Sequence, residues 1–131
     1  MEDLIDVALD DTSIRAMVEM NPNIKELSME EIRNKIRILQ EIGCSLNQVM
    51  NIVSSNSMFL DRNDNEIINL IKYLSSKGFS TLNILLDSNP YILNLEVNEI
   101  DNYINNRLKN NEILSDIIDD LEGNPILFNE M

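Results

Sequence analysis

The chain contains three prolines, and each follows an asparagine: Asn21-Pro22, Asn89-Pro90 and Asn124-Pro125. Apolar residues come after every pair: Ile24 and Leu27, then Ile92-Leu93, then Ile126-Leu127-Phe128. Between the first two pairs lies Asn56-Ser57-Met58-Phe59-Leu60, the same pattern with Ser in place of Pro. The marks at 22, 57, 90 and 125 stand 35, 33 and 35 residues apart. Recurrence at this period is the signature of a stacked-repeat fold. One supersecondary unit cannot bury its apolar face alone, and its neighbours complete the core.

The segments between the marks agree with one another. Residues 28–60 open on Ser28-Met29-Glu30-Glu31, a capping-box pattern. Ile32, Ile36 and Leu39 follow on one helical face. Gly43 offers the left-handed conformation that ends a helix. Ser45-Leu46-Asn47-Gln48 reads as a second capping box, and Val49, Ile52 and Val53 as a second apolar face. In residues 61–93, Asn63 or Asp64 can cap, and Ile67, Ile71 and Leu74 repeat the first face at a displacement of 35. Gly78 matches Gly43, Ser80 matches Ser45, and Leu82, Leu85 and Leu86 form the second helix.

Residues 94–128 give a looser copy. Ile100, Ile104 and Leu108 form its first face, and Ile113, Leu114, Ile117, Ile118 and Leu121 its second. Asn110-Asn111 stands where the glycine stood. Residues 1–27 read as a shortened copy, with helices near 2–9 and 14–20 around a cap at Asp10-Asp11-Thr12-Ser13. No segment alternates with period two over a strand's length. The expected fold is all-α: one domain over 1–131, a short α-solenoid of about three and a half units, near 1–27, 28–60, 61–93 and 94–128. Each Asn-Pro mark is expected to open a short third helical turn, because proline tolerates a first turn and blocks continuation.

Composition narrows the function. With 10 Lys+Arg against 23 Asp+Glu the net charge is −13, which opposes general affinity for nucleic acid or anionic membrane. There is no histidine, so Ser-His-Asp and Cys-His catalysis and imidazole metal ligation are excluded. The single cysteine excludes an internal disulfide and a thiolate zinc cluster. No apolar run reaches the roughly 18–20 residues of a membrane span. The acidic start Met1-Glu2-Asp3-Leu4 is unlike a signal peptide. The expectation is a cytoplasmic protein. The abundance of Asn and Ile, whose codons are A/T-rich, suggests a bacterial or phage genome.

The charge is uneven. Residues 1–30 carry 2 basic and 8 acidic groups, residues 31–60 carry 3 and 2, residues 61–93 carry 3 and 4, and residues 94–131 carry 2 and 9. The two central segments are together neutral, so the case against nucleic acid is weaker there than at the ends.

The run Tyr73-Leu74-Ser75-Ser76-Lys77-Gly78-Phe79-Ser80, then Leu82, Ile84-Leu85-Leu86 and Asn89-Pro90-Tyr91-Ile92-Leu93, resembles the repeat of the mitochondrial transcription termination factor (mTERF) family. That repeat runs from a leucine through Gly-Phe-Ser and an apolar helix to Pro-x-x-Leu. Residues 36–60 fit it with Gly43-Cys44-Ser45 and Ser57 for Pro, and residues 100–128 fit it without the glycine. The resemblance spans roughly residues 20–128. It implies a right-handed stack of triangular three-helix units, with a basic concave face that binds nucleic acid in family members. This chain departs in being short, strongly acidic and without an Arg-rich transit segment.

Arg37, Lys72 and Arg107 are spaced 35 apart, and Arg33 lies one turn before Arg37. In a stack they would form a basic ladder for phosphates or an acidic segment. The plainer and preferred reading is a solvated face that the repeat aligns. Asp116, Asp119 and Asp120, with Glu112 nearby, crowd the last long helix. The preferred reading is a solvated acidic face, and the functional one is imitation of a phosphate track. Asp61-x-Asn63-x-Asn65 opens like a calcium loop but has Glu66 at position six and Lys72 at twelve, so it is rejected. Cys44 matches Phe79 and is expected to be a buried packing residue. Met50 and Met58 are expected to fill core or seam.

Ile126, Leu127 and Phe128 match positions that a following unit would cover, so they are expected to fold back or to offer an apolar contact to a partner or a second copy. The leading expectation is a non-enzymatic binding module without cofactor or metal, whose partner is another protein. The alternatives are nucleic-acid binding through the central ladder and an acidic decoy for a nucleic-acid enzyme.

Overall fold

Ser28, Asn63 and Glu96 each start a long helix, and the same elements follow in each case in the computed structural model, which describes residues 28–131. The first unit holds α1 (Met29–Glu41), α2 (Leu46–Ser55) and the 3₁₀ helix η1 (Ser57–Asp61). The second holds α3 (Asp64–Lys77), α4 (Leu82–Ser88) and η2 (Pro90–Asn94). The third holds α5 (Val97–Lys109), α6 (Leu114–Gly123) and η3 (Pro125–Glu130). No strand occurs among the described residues. The helices expected within residues 1–27, and the Asn21-Pro22 mark, lie outside them.

Local chemistry explains each start. Ser28 Oγ accepts from the Glu31 amide at 3.1 Å, while the Ser28 amide donates to Glu31 Oε1 at 3.4 Å. Ser45 and Gln48 form the same pair at 3.2 and 2.9 Å. Two otherwise orphan donors are satisfied at each box. Of the two residues expected to cap α3, Asn63 does so, its Oδ1 accepting from the Asn65 amide at 2.8 Å.

The first helices all stop in the same way. Gly43, Gly78 and Asn111 have φ of 96°, 106° and 68°. Each stands 15 residues after its cap (43 − 28, 78 − 63, 111 − 96). Their amides donate to Gln40, Ser75 and Leu108 carbonyls at 2.9, 3.2 and 3.1 Å. The next amides, of Cys44, Phe79 and Glu112, reach back to Leu39, Leu74 and Arg107 carbonyls at 3.1, 3.3 and 3.3 Å. This double bond pattern is the Schellman motif. Asparagine fills the third position because its short polar side chain tolerates the left-handed region.

Counting from these stops locates the alternation of 35 and 33. Gly43 to Asn56 is 13 residues, Gly78 to Asn89 is 11, and Asn111 to Asn124 is 13. The net loss of two arises at the second helix, since α4 is three residues shorter than α2 and α6 (7 against 10) and starts one residue later after its stop.

Each second helix ends on an asparagine of one conformation: φ, ψ of −144°, 69° at Asn56, −144°, 84° at Asn89 and −142°, 70° at Asn124. The 3₁₀ helix starts at the following residue, as the Asn-Pro marks imply. Two of these asparagines also join the units. Asn56 Nδ2 donates to the Pro90 carbonyl at 2.8 Å and to Asn94 Oδ1 at 3.1 Å. Asn89 Nδ2 repeats this one unit later, to the Pro125 carbonyl at 2.9 Å and Asn129 Oδ1 at 3.0 Å. Both amides are buried.

The core is aliphatic and continuous. Ile32, Leu39, Ile52, Phe59, Leu60, Ile67, Leu74, Leu86, Ile92, Ile104, Ile117, Leu121 and Phe128 are all at most 1% exposed. The Phe79 ring reaches across to Phe128 of the following unit, with centroids 6.1 Å apart. Three expected packing positions differ, one of them Ile113, which precedes α6 and is 64% exposed. Met58 is 64% and Leu108 38% exposed.

Asn89→Ala is expected to lower stability by about 2 kcal/mol, the scale for leaving buried partners unsatisfied. The equivalent Asn124→Ala, at an exposed amide, should cost less than about 0.5 kcal/mol. Urea denaturation of the two variants beside the parent measures the difference. Gly78→Ala meets no atom within 4 Å of its new Cβ, so its cost is conformational, about 1–2 kcal/mol. Asn111→Gly should be neutral or stabilising in the same assay.

Candidate interaction surfaces

Arg37 and Lys72 are exposed and hold the same register, nine residues after their caps (37 − 28, 72 − 63). The ninth position of the third unit is Asn105, not Arg107. A displacement of 35 fails there because α4 is short. Arg107 instead takes the eleventh position, which Leu39 and Leu74 fill in the other units.

The Arg107 guanidinium is bound within its own unit. Its Nη2 donates to Glu112 Oε1 at 2.6 Å, Nε to Glu112 Oε2 at 3.0 Å and Nη1 to Asp120 Oδ2 at 2.8 Å. Nη1 also meets the Tyr103 hydroxyl at 3.2 Å, and the cation lies 5.6 Å from that ring's centroid. The Glu112 carboxyl is held below its ordinary value by the hydrogen bonds from Arg107. The guanidinium is held more firmly protonated by Glu112 first and then Asp120. Arg33 is half-buried and engaged.

Two further cations are structural, and periodicity gave no sign of either. Lys35 is buried and paired with Asp64, the first residue of α3. It sits seven residues after its cap, where the other units place Leu70 and Tyr103 (35 − 28, 70 − 63, 103 − 96). Arg62 Nη1 donates to the Leu93 and Leu95 carbonyls at 2.7 and 2.8 Å, and Nη2 approaches Glu96 at 3.3 Å. The central segments are therefore neutral in formal charge, while much of their positive charge is already committed.

The candidate acidic face divides. Glu112 precedes α6 and, with Asp120, binds Arg107, whereas Asp116 and Asp119 are exposed on α6. No group of three or more potential metal-ligating side chains occurs among the described residues. No helix among them is long and apolar enough to cross a membrane. Cys44 is buried, and burial followed by the nearby Asp87 carboxylate pushes its thiol up to about 11. It is therefore protonated and inert at neutral pH.

The C-terminal trio also divides. Phe128 is fully buried, Leu127 is half-buried and Ile126 is 64% exposed. The same division recurs in every unit. A 3₁₀ turn holds three residues, so three consecutive apolar residues cannot all face inward. The third and fourth residues after each asparagine turn in: Phe59 and Leu60, Ile92 and Leu93, Leu127 and Phe128. The second turns out, leaving Met58, Tyr91 and Ile126 exposed by 64%, 55% and 64%. Successive 3₁₀ helices pack on one another, so these side chains form a column. A shallow cleft of about 360 Å³ lies beside it, lined by Tyr91, Asn94, Leu95, Phe128 and Asn129.

Compared with known protein families, residues 1–119 match mTERF. The chain belongs to the mTERF family. No match is found among curated proteins or among solved structures. In this mTERF chain the unit continues past the matched residues, since η3 repeats the turn of η1 and η2. Family membership gives a helical-repeat protein. In this mTERF protein the third unit carries the Arg107 cluster and the 3₁₀ edge carries the apolar column.

The lowered Glu112 pKa sets a sign for pH. Its contribution to stability is present above the unfolded carboxyl value of 4.5 and is lost as pH falls through the lower folded value. The stability difference between the parent and Glu112→Gln should therefore be largest near neutrality and vanish in acid. Thermal melts from pH 7 down to pH 3 check it.

Proposed function

We propose that the chain is a non-enzymatic binding module, a short right-handed α-solenoid of about three and a half units, that takes another protein along its 3₁₀ edge. The observation that carries this reading is the column of Met58, Tyr91 and Ile126, one exposed large apolar side chain at the same turn position in three consecutive units. Single exposed apolar residues are ordinary, whereas a contiguous patch marks a contact surface. Methionine and aromatic residues are also enriched at protein interfaces.

Family membership favours a second reading, nucleic-acid binding through Arg37 and Lys72. Its weakness is that, of the four ladder residues, only Arg37 and Lys72 are exposed. Two phosphate contacts correspond to a slope of log affinity against log salt near −1.8 on duplex DNA, far below that of a dedicated track. The decoy reading draws less support, because Glu112 and Asp120 are taken up by Arg107.

Replacing Tyr91 by the photocrosslinker p-benzoylphenylalanine in the cell of origin separates these readings. The same replacement at Ile84, exposed on α4 away from the 3₁₀ edge, is the control. A discrete protein adduct at 91 and none at 84 is expected. Nucleic-acid adducts, or no adduct at 91, would displace the lead. Anisotropy with labelled duplex and single-stranded DNA completes the test. Arg37→Glu with Lys72→Glu should leave the weak signal nearly unchanged, and its abolition would favour the second reading.

A further inference from the structure

The sign of charge along the 3₁₀ edge points to the chemistry of what binds there. Asp61 lies three residues after Met58 and so eclipses it on the same face of the 3₁₀ turn. Glu96 lies two residues after the end of η2, and Glu130 ends η3; both are exposed. Arg62 is the one cation within residues 56–63, 89–96 and 124–131. Its side chain is 12% exposed, and two backbone carbonyls and Glu96 hold it. Among the described residues of these turns the apolar column is thus bordered by carboxylates, and their one cation, Arg62, is already held. Beyond the edge, the net charge of −13 draws cationic segments and repels a second copy of the chain and anionic lipid.

The spacing adds a constraint. Packed helices lie roughly 8–10 Å apart, which sets the step from one rung to the next. An α-helix rises about 10.5 Å in seven residues. A bound helix with apolar residues seven apart would meet Met58, Tyr91 and Ile126 in turn. The rungs are held in place, because Asn94 and Asn129 on the same turns are bonded to Asn56 and Asn89 of the preceding units. A preformed surface spares the ordering cost of binding.

Building on the protein-binding reading above, we infer that the partner presents a cationic amphipathic helix, with apolar residues at seven-residue spacing flanked by Lys or Arg. The apolar column fixes its register and Asp61 and Glu130 select its charge.

Three synthetic 21-residue helical peptides test this by fluorescence anisotropy against the full chain. The first carries Leu at seven-residue spacing with Lys flanks, the second has Glu for Lys, and the third has Ser for Leu. The first should bind the parent, and Met58→Ser with Tyr91→Ser and Ile126→Ser should weaken it at least tenfold. Asp61→Asn with Glu130→Gln should weaken it at least threefold. Ile113→Ser, an exposed apolar site off the edge, should leave it unchanged. Circular dichroism melts establish that the variants fold.

Binding of the Glu peptide as tight as the Lys peptide, and lost with the column, would overturn the cationic partner while the protein-binding edge stands. Equal binding of the Ser and Lys–Leu peptides would overturn it too, as bulk charge alone. If no peptide binding depends on the column, the edge reading and this inference both fall. Self-association of the parent that the triple variant abolishes would make the column a contact between copies and overturn the inference.

Discussion

One side chain, the asparagine that ends the second helix in the first and second units, holds the units in register. Its backbone conformation stops the helix and opens the 3₁₀ turn, and its amide crosses to the next unit's proline carbonyl and asparagine. Apolar packing supplies most of the cohesion of such a protein, but packing is tolerant of small slides. A buried amide with fixed partners is not, because a displaced donor loses its hydrogen bonds without regaining water. Core continuity and the alignment of Met58, Tyr91 and Ile126 both follow from that joint. The Asn-Pro mark read from the sequence as a repeat boundary is therefore also the fastening.

Much of the fold was legible because the signals are local. Capping boxes at Ser28 and Ser45, left-handed stops at Gly43 and Gly78, and Asn111 as a substitute stop each depend on a few neighbouring residues. The burial of Cys44 and Phe79 followed from their shared register. What escaped was the third unit's count. A period of 35 had been carried from Lys72 to Arg107, but α4 is short and the true displacement is 33. Glutamate is not a favoured cap residue type, so Glu96 did not announce the start of α5. Leu108 then passed for core, and Arg107 for a rung of the ladder.

The candidate sites were less legible than the fold, for a reason that concerns partners rather than positions. Lys35, Arg62 and Arg107 count as positive charge in composition, yet each is bound to carboxylates, and Arg62 also to backbone carbonyls. No periodicity reveals which cations are already matched. The apolar column was visible in principle. Three consecutive apolar residues follow each asparagine, and a three-residue turn must expose one of them. The Asn-Pro marks imply a short third helical turn, but only its 3₁₀ pitch, which they do not specify, forces one residue of each trio outward.

The third unit differs from the others at three places that elsewhere hold apolar residues. Leu39 and Leu74 give way to Arg107, Cys44 and Phe79 to Glu112, and Ile52 and Leu85 to Asp120. The Phe79 contact with Phe128 shows that this face looks forward along the stack. Dissolved ions hardly touch methyl groups in contact, and they weaken contact ion pairs such as those of Arg107 only modestly, since screening acts mainly beyond about 10 Å at ordinary ionic strength. The stack is built of two materials. The third unit adds a polar cluster at Arg107 to an apolar core, Ile117, Leu121 and Phe128, that is as fully buried as the core of the middle unit.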